Sequence, residues 1–346
     1  IENSGTLSSR KGVNFPNTII DIEVITKKDE ADIAWGVKNR VDYFAISFVQ
    51  SAKDMRRARE LLGDYKGKLI AKIEKFDAVS NIDEIIEVSD GIMVARGDLG
   101  IEVPYYDVPT IQKMLIKKSN AKGIPVITAT QMLLSMTQNE RATRAEISDV
   151  ANAVLDGTDI VMLSEESAVG ENPVNVVETM HNIIKQTEKI FDHEKRYKFT
   201  YLDEFDVIQA TVTKLADDLS ADGILSLTSS GNSARKMSRY RPITPLYTFA
   251  HDKETLTGLT ALWGVEPITT VKEAQASKMI QRMLRSLEKR EILNKKGLYI
   301  CTVGYPVGIP GSTNTIKILT PSEIEFYLNF KENREKIKTE KKVNLA

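Results

Sequence analysis

The chain has 346 residues, of which 42% are hydrophobic and 27% are charged, and its formal net charge is -1. This length suffices for one large and one smaller domain, and the balanced charge excludes the basic surface typical of nucleic-acid or acidic-membrane binding. The single cysteine, Cys301, excludes a disulfide within the chain and any CxxC metal motif. With no apolar run of transmembrane length, we expect a cytoplasmic protein without membrane partners.

Short apolar runs alternate with amphipathic stretches through the first half of the chain. The predicted strands are 43–48, 69–74, 91–96, 125–130 and 159–163. The predicted helices are 30–39, 53–62, 80–88, 108–122, 144–155 and 172–189. Continuous apolar strands that alternate with helices predict a parallel sheet covered by helices.

Polar residues end these strands at a regular spacing of 27, 24, 32 and 34 residues, at Ser47, Glu74, Asp98, Thr130 and Ser164. A (β/α)₈ TIM barrel allots roughly 30 residues to each repeat. Five βα repeats predict a partial barrel, whose three other repeats we expect before residue 1. A five-stranded open doubly wound sheet remains an equal alternative on spacing alone.

A second α/β unit is predicted from Asp206 onward. Its predicted helices are 207–221, 234–239 and 271–289, and its predicted strands are 223–227, 246–249 and 297–303. The segment 323–341 alternates basic and acidic residues and predicts an exposed charged helix or a frayed tail.

The ends of the second and third strands carry the residues most suggestive of chemistry. Lys72 and Glu74 are two apart, so a strand would place them on one face. Glu74 and Asp98 are plausible ligands for Mg²⁺, which prefers carboxylates together with substrate oxygens and water. Gly97 and Asp98 follow a strand, where backbone N–H groups can bind a carboxylate or phosphate. For Lys72 and Glu74, the alternative is an internal ion pair that binds nothing. For Gly97 and Asp98, the alternative is an ordinary turn.

A second candidate loop follows the first strand of the C-terminal unit. It consists of Thr228, Ser229, Ser230, Gly231, Asn232 and Ser233. Hydroxyls and a glycine between a strand and a helix suit a phosphate group. The lysine of a P-loop is absent, and an ordinary helix N-cap turn is an equal alternative.

Several ordered motifs together resemble the pyruvate kinase family. In the first unit they are 11–14, 71–74, 90–100, 127–132, 143–146, 149–157 and 162–164; in the second they are 230–231, 241–242, 263–265 and 311–314. The resemblance extends from Gly5 to about Leu319. Two motifs depart from the family pattern: Glu140-Arg141-Ala142-Thr143 stands where the family has Pro-Arg-Pro-Thr, so that Ala142 replaces a proline, and Glu165 replaces the glycine of Ser-Gly-Glu.

The resemblance implies phosphoryl transfer from phosphoenolpyruvate to ADP, giving pyruvate and ATP, the final step of glycolysis. By motif, Lys72 would neutralise the phosphoryl group in flight, and Glu74 and Asp98 would hold Mg²⁺ or Mn²⁺. Such a reaction needs positioning and positive charge rather than covalent work by the protein.

The resemblance also assigns the substrate side of the site. The N–H groups of Gly97 and Asp98 would hold the substrate carboxylate, Ser47 would contact substrate, and Thr130 would help protonate the enolate carbon through water. K⁺ is implied as a further cofactor, with its ligands in the part of the family fold that precedes this chain. We therefore expect this chain to lack a complete site.

The implied organisation has four parts. Residues 1–14 would return from a lid domain, 15–195 would form the C-terminal part of the barrel, 206–320 an α/β domain, and 321–346 a charged tail. The resemblance further implies a homotetramer and an allosteric, phosphorylated effector at loop 228–233. The alternative functions are a metal-dependent pyruvate aldolase on a similar barrel, and a non-catalytic fragment for effector binding or assembly.

Overall fold

The computed structural model describes residues 23–193, 199–273, 275–304 and 313–330. The predicted return segment 1–14, with its 11–14 motif, lies outside these residues, as do positions 311–312 and most of the predicted tail, 331–346. The described chain divides into two compact units. The first comprises 23–117, 126–156 and 161–183, and the second comprises 118–125, 157–160 and the residues from 184 onward.

The first unit is built on a five-stranded sheet with the strands in sequence order. The strands are β1 (Tyr43–Ile46), β2 (Lys68–Ile73), β3 (Gly91–Ala95), β4 (Val126–Ala129) and β5 (Ile160–Val161). The helices are α1 (Lys27–Lys38), α2 (Ala52–Leu62), α3 (Phe76–Ser80), α4 (Ile82–Val88), α5 (Arg96–Glu102), α6 (Val108–Lys122), α7 (Arg144–Asp156), α8 (Glu165–Ala168) and α9 (Pro173–Thr187). Short 3₁₀ turns occupy Tyr105–Asp107, Leu134–Thr137 and Glu188–Ile190.

The strand order separates the two architectures that spacing left open. The pairs β1–β2, β2–β3 and β3–β4 are parallel, and β5 follows β4 at the edge. A doubly wound sheet reverses its strand order at a switch point, whereas a barrel adds each strand beside the previous one. The uninterrupted order confirms the prediction of a partial barrel with five βα repeats.

Local capping explains where two helices depart from prediction. Helix α1 begins three residues earlier than predicted because Thr26 and Asp29 form a capping box. The predicted helix 80–88 is divided at Asn81, which ends α3 and precedes α4. Apolar periodicity reports which face is buried, but not which residue closes a helix end.

The second unit contains a five-stranded mixed sheet. Its order is β10-β9-β6-β7-β8, with β10 antiparallel to β9 and the other pairs parallel. The strands are β6 (Gly223–Thr228), β7 (Leu246–Ala250), β8 (Val265–Thr270), β9 (Tyr299–Gly304) and β10 (Thr313–Leu319). The helices are α10 (Glu204–Asp218), α11 (Asn232–Arg239), α12 (Lys253–Thr257), α13 (Ala276–Lys289) and α14 (Pro321–Leu328).

Alternate residues of this sheet enter two separate cores. Leu225 and Cys301 pack in a cluster with the apolar face of α13, whereas Ile224 and Ile300 pack with α10 and α11. Successive strand residues point to opposite faces, so continuous apolar strands require helices on both sides. The second unit is therefore a three-layer structure, and its α/β class confirms the prediction from the sequence.

The sequence did not predict β8, β10 or α12. Both missed strands lie at sheet edges and carry few buried residues. Edge strands face solvent and lose the continuous apolar pattern that marks central strands. The predicted helix 271–289 was too long, since α13 begins at Ala276. Of the predicted charged helix 323–341, the structure describes residues 323–330. The observed helix α14 ends at Leu328.

Cys301 is expected to resist thiol reagents in the folded protein. It is fully buried in β9, and burial raises the pKa of its thiol to about 12. Because the thiolate is the reactive form, we expect no reaction with Ellman's reagent at pH 7.5 in native buffer and one equivalent in denaturant. Stoichiometric labelling of the native protein within minutes would contradict this burial.

No helix in the described ranges combines the length and the apolar character needed to cross a bilayer.

Candidate active site

The strand register brings the predicted polar residues to one edge of the first sheet. Ile46 pairs with Ala71, Ile73 with Val94, and Ala95 with Ala129. Ser47, Glu74, Arg96 and Thr130 follow the last paired residues of their strands and therefore lie at the carboxyl edge of the sheet. This edge is where parallel α/β structures place their binding groups.

Lys72 is the cationic centre of this edge. Its Nζ lies 2.7 Å from Oε1 of Glu74 and donates a hydrogen bond to Oγ of Ser47 at 2.9 Å. The Lys72 side chain is 25% exposed, whereas that of Glu74 is 1% exposed. The predicted pairing of Lys72 with Glu74 on one strand face is thus observed, and Ser47 joins them from the neighbouring strand.

Glu74 connects the ends of β1 and β2. Its second oxygen, Oε2, accepts a hydrogen bond from the backbone N–H of Phe48 at 2.6 Å. Phe48 adopts a left-handed conformation with φ 56°, which turns its N–H toward the carboxylate. Each Glu74 oxygen therefore has one partner, and a carboxylate oxygen can accept further bonds.

Asp98 lies in the first turn of α5 and is half-buried. Within the described ranges, its carboxylate makes no hydrogen bond or ion pair. Asp98 and Glu74 follow adjacent strands, so hard oxygen donors are present at this edge, as Mg²⁺ and Mn²⁺ require. No cluster of three or more His, Cys, Asp or Glu suited to a metal occurs in the described part of the chain. Two carboxylates still fit a metal that takes its other ligands from substrate and water.

Thr130 follows β4 in a strained conformation. Its φ is 70°, and that of Gln131 is 54°. A β-branched residue at positive φ is unusual, and such strain costs of order 1–3 kcal/mol. The Thr130 hydroxyl accepts a hydrogen bond from the N–H of Gly97 at 2.8 Å and donates to the Ala129 carbonyl at 2.6 Å. The Gly97 N–H, predicted to hold a substrate carboxylate, is thus bonded to Thr130 in this structure.

Arg96 holds the strained turn in place and was not among the predicted site residues. Its guanidinium donates to the carbonyls of Ala129 at 3.2 Å and Thr130 at 2.7 Å. On its other side it pairs with Asp149 at 2.6 Å and bonds Gln112 at 3.3 Å. The one sequence signal for Arg96 was a charged residue directly after the fully buried strand β3.

The Thr143-Arg144-Ala145-Glu146 motif has a structural role. The N–H of Thr143 donates to Glu146 at 2.8 Å, and the N–H of Glu146 donates to the Thr143 hydroxyl at 3.2 Å, forming a capping box for α7. Ser135 donates two further bonds to Glu146. Burial would raise the pKa of Glu146, but the bonds from Ser135 and Thr143 outweigh it and leave that pKa below its usual value.

The segment after β5 accommodates both of its glutamates. Glu166 is 1% exposed and accepts hydrogen bonds from the N–H groups of Ser164 at 2.7 Å and Leu133 at 3.1 Å. Glu165 is exposed in the first turn of α8, where an acidic residue is favourable. Because Glu165 has helical backbone geometry, its replacement of the family glycine requires no strained turn.

The candidate phosphate loop of the second unit forms a closed turn. The Thr228 hydroxyl accepts the N–H of Gly231 at 2.9 Å, and Gly231 has φ 84°, a conformation that favours glycine. Asn232 begins α11, and the Ser233 hydroxyl lies 3.1 Å from that of Thr313. Thr228 is 4% exposed, and its hydroxyl bonds within the turn, whereas Gly231, the N-cap of α11, has no side-chain capping bond.

Comparisons with known proteins identify both units. The family described as "Pyruvate kinase, barrel domain" matches residues 1–177, and "Pyruvate kinase, alpha/beta domain" matches residues 206–319. Pyruvate kinase of Lactobacillus delbrueckii subsp. bulgaricus is 42% identical over 326 residues, covering 92% of this chain and 55% of that protein. Pyruvate kinase of Clostridium acetobutylicum is 41% identical over 325 residues, covering 92% of this chain and 69% of that protein. The chain thus spans little more than half the length of the first of these relatives.

Proposed function

Because the chain belongs to the pyruvate kinase family, we propose that the edge around Lys72 takes part in phosphoryl transfer from phosphoenolpyruvate to ADP. The observation that carries this proposal is the Lys72 ammonium, placed between Ser47 and Glu74 at the carboxyl edge of the sheet. In the reaction, a terminal oxygen of ADP attacks phosphorus and the bond from phosphorus to the enol oxygen breaks. The enolate of pyruvate then takes a proton at its terminal carbon.

Lys72 is proposed to balance the negative charge of the phosphoryl group during transfer. It is partly buried, so its charge is screened less than that of a surface lysine. The Glu74 carboxylate and the Ser47 hydroxyl restrict the ammonium to one position. A fixed charge needs little reorganisation at the moment of reaction, which is the usual source of catalysis by such groups.

Gly97 and Asp98 are proposed to bind the carboxylate of the pyruvate part of the substrate, and Thr130 is proposed to help protonate its enolate carbon. The Thr130 hydroxyl is the proposed proton-delivery group near the enolate carbon, acting through water. The hydrogen bond from the Gly97 N–H to the Thr130 hydroxyl supports this assignment because it places that hydroxyl beside the turn that would hold the substrate carboxylate. A substrate carboxylate bound there would have to replace the Thr130 hydroxyl as acceptor of the Gly97 N–H, or share that N–H with it.

Glu74 and Asp98 are the residues proposed to hold Mg²⁺ or Mn²⁺. When bound, the metal would supply positive charge and orient phosphate oxygens. K⁺, which the family resemblance implies, is proposed without ligands assigned in the described ranges. A homotetramer in the cytoplasm and a phosphorylated effector at loop 228–233 complete the proposal by analogy with the family.

The proposal is tested on a full-length protein that contains this chain, by following pyruvate formation from phosphoenolpyruvate in an assay coupled to lactate dehydrogenase. We expect pyruvate formation to require ADP and a divalent metal, with one ATP formed for each pyruvate. Cleavage of a carbon–carbon bond in a pyruvate aldol substrate would instead support the aldolase alternative. Binding of sugar phosphates without turnover would support the non-catalytic alternative.

Replacing Glu74 with alanine is expected to raise the Mg²⁺ concentration for half-maximal activity by about 10–100-fold, the usual loss when a metal-site group is removed. The measurement is a Mg²⁺ titration of initial rate at saturating substrates. Glu165→Ala is the matched control, since Glu165 is an exposed carboxylate after a strand of the same sheet. Identical titrations for both variants would remove Glu74 from the metal site.

Replacing Arg96 with lysine is expected to lower kcat by about 10–100-fold with little change in KM, because a misplaced Thr130 loses catalytic geometry. Lysine keeps the charge but cannot donate to two carbonyls in Arg's fixed fork. Arg59→Lys is the matched control, since Arg59 likewise bonds a carbonyl (Gly67) and a carboxylate (Asp90) elsewhere in the unit. Equal losses in both variants would indicate a general structural effect.

A further inference from the structure

Glu166 is a buried carboxylate to which the proposed reaction gives no role. It is 1% exposed. Its Oε2 accepts the N–H of Ser164 at 2.7 Å, and its Oε1 accepts the N–H of Leu133 at 3.1 Å. The first bond lies within the turn that follows β5, whereas the second reaches the turn that follows β4, 33 positions earlier in the chain. Glu166 therefore connects the carboxyl ends of two neighbouring strands.

The backbone that carries Glu166 contacts the 3₁₀ turn Leu134–Thr137 at a second place. The N–H of Glu171 donates to the Thr137 carbonyl at 3.0 Å. A β-carbon on Gly170 would lie 2.1 Å from the carbonyl oxygen of Glu166 and 3.5 Å from Cα of Thr137. Only glycine permits such a close approach of backbone. The backbone of Glu166 is thus fixed independently of its carboxylate, which can therefore restrain Leu133.

Leu133 ends the strained turn that begins at Thr130. Thr130 and Gln131 have φ angles of 70° and 54°. Backbone strain of this kind persists only where the surrounding contacts hold it in place. Arg96 holds the first part of the turn through the carbonyls of Ala129 and Thr130. The carboxylate bond to the Leu133 N–H holds the last part.

The two bonds of Glu166 require a carboxylate. An ionised carboxylate offers an acceptor oxygen to each N–H, whereas the amide of glutamine has one acceptor oxygen and two N–H donors. Glu166 forms no ion pair with any residue that the structure describes, so these two N–H groups compensate the burial of its charge. Burial of a charge is costly, and closing one turn would need only one acceptor. The second acceptor is used to fix the turn after β4.

We propose that Glu166 is a positioning residue for proton transfer: by holding Leu133, it keeps the Thr130 hydroxyl in place beside the enolate carbon. This inference rests on the proposed function and on the role proposed there for Thr130. It adds a residue that does not touch substrate and that acts through the geometry of the turn.

Phosphoryl transfer depends on a different set of contacts. Lys72 is held by Glu74 and Ser47, and in the described part of the chain none of these three side chains bonds residues 130–133. Loss of the Leu133 bond should therefore impair proton transfer while the Lys72 side of the site stays intact. A residue that only stabilises the fold would impair both steps together.

The first test uses a full-length protein that contains this chain and measures the two steps separately. Proton transfer is followed by NMR as exchange of the pyruvate methyl protons in D₂O, with Mg²⁺, K⁺ and inorganic phosphate present. Phosphoryl transfer is followed as ATP formed from phosphoenolpyruvate and ADP in a single turnover. Glu166→Gln is expected to lower exchange at saturating pyruvate by about tenfold and ATP formation by less than about twofold.

Asp217→Asn is the matched control. Asp217 also accepts two backbone N–H groups, of Ile243 at 3.3 Å and Thr244 at 2.9 Å, but it lies in the second unit. This variant should leave both rates unchanged. Equal losses of exchange and ATP formation in Glu166→Gln, or no loss of either, would overturn the inference and leave the proposed function intact. A wild-type protein that forms no pyruvate from phosphoenolpyruvate would overturn both.

The second test measures the turn itself and does not require activity. Amide hydrogen exchange followed by mass spectrometry is expected to be about tenfold faster in peptides covering 130–137 of Glu166→Gln than in the wild type. Glu166→Asp keeps the charge but is one methylene shorter, so it should show the same change and replaces the first variant if that does not fold. Unchanged protection of this turn in a folded Glu166 variant would overturn the inference.

Discussion

In a full-length protein that contains this chain, replacement of Lys72 with methionine is expected to lower kcat for pyruvate formation by about a thousandfold, the upper range for the loss of one fixed electrostatic group. Methionine fills a similar volume without charge, so the phosphoryl group would lose the cation that is proposed to balance its charge. The loss should appear in kcat more than in KM, because the charge is needed most while the phosphoryl group is in transfer.

The same substitution leaves Glu74 buried with one fewer partner, so stability must be measured beside activity. We expect a folded protein with reduced free energy of unfolding, since only the Phe48 N–H would then bond the carboxylate. Lys72→Arg retains the charge and separates the two effects, because it should restore stability more than rate. Lys113→Met is the control at an exposed lysine paired with Asp156. Near-normal kcat in Lys72→Met would remove Lys72 from the chemistry.

Replacement of Asp206 with alanine is expected to lower the free energy of unfolding by about 3–5 kcal/mol, because it leaves a charged guanidinium buried without its partner. Asp206 and Arg239 have side-chain exposures of 0% and 1%. Asp206 also accepts hydrogen bonds from the Tyr240 hydroxyl at 2.9 Å and the Leu202 N–H at 2.9 Å. Burial, together with the bond to Asp206, raises the pKa of Tyr240, which therefore stays a neutral donor.

The matched control is Asp218→Ala on the same helix. Asp218 pairs with Lys214 at 2.8 Å, but both side chains are more than half exposed. Exposed pairs contribute little, so the expected change is below about 0.5 kcal/mol. Urea unfolding followed by circular dichroism measures both variants. A loss under 1 kcal/mol for Asp206→Ala would show that Arg239 finds another acceptor or solvent.

The sequence was sufficient for the central strands and for the Lys72–Glu74 pair because both depend on near neighbours in the chain. Residues two apart on a strand share a face wherever the strand is placed. It was insufficient for the edge strands β8 and β10, whose partly exposed residues carry no strong period. It also left the barrel and the doubly wound sheet equally plausible, since strand order is a property of pairing between distant segments.

The tertiary structure was needed for every group that acts through distant partners. Arg96 contacts residues that lie 16 to 53 positions further along the chain, and no local pattern encodes such contacts. The same holds for Arg241, which meets Asp159 across 82 positions. The sequence thus predicts which residue types end each strand. The folded structure determines which carboxylate each cationic side chain contacts. Hydrogen bonds and ion pairs require contact distance, and only the folded backbone sets the distances between remote segments.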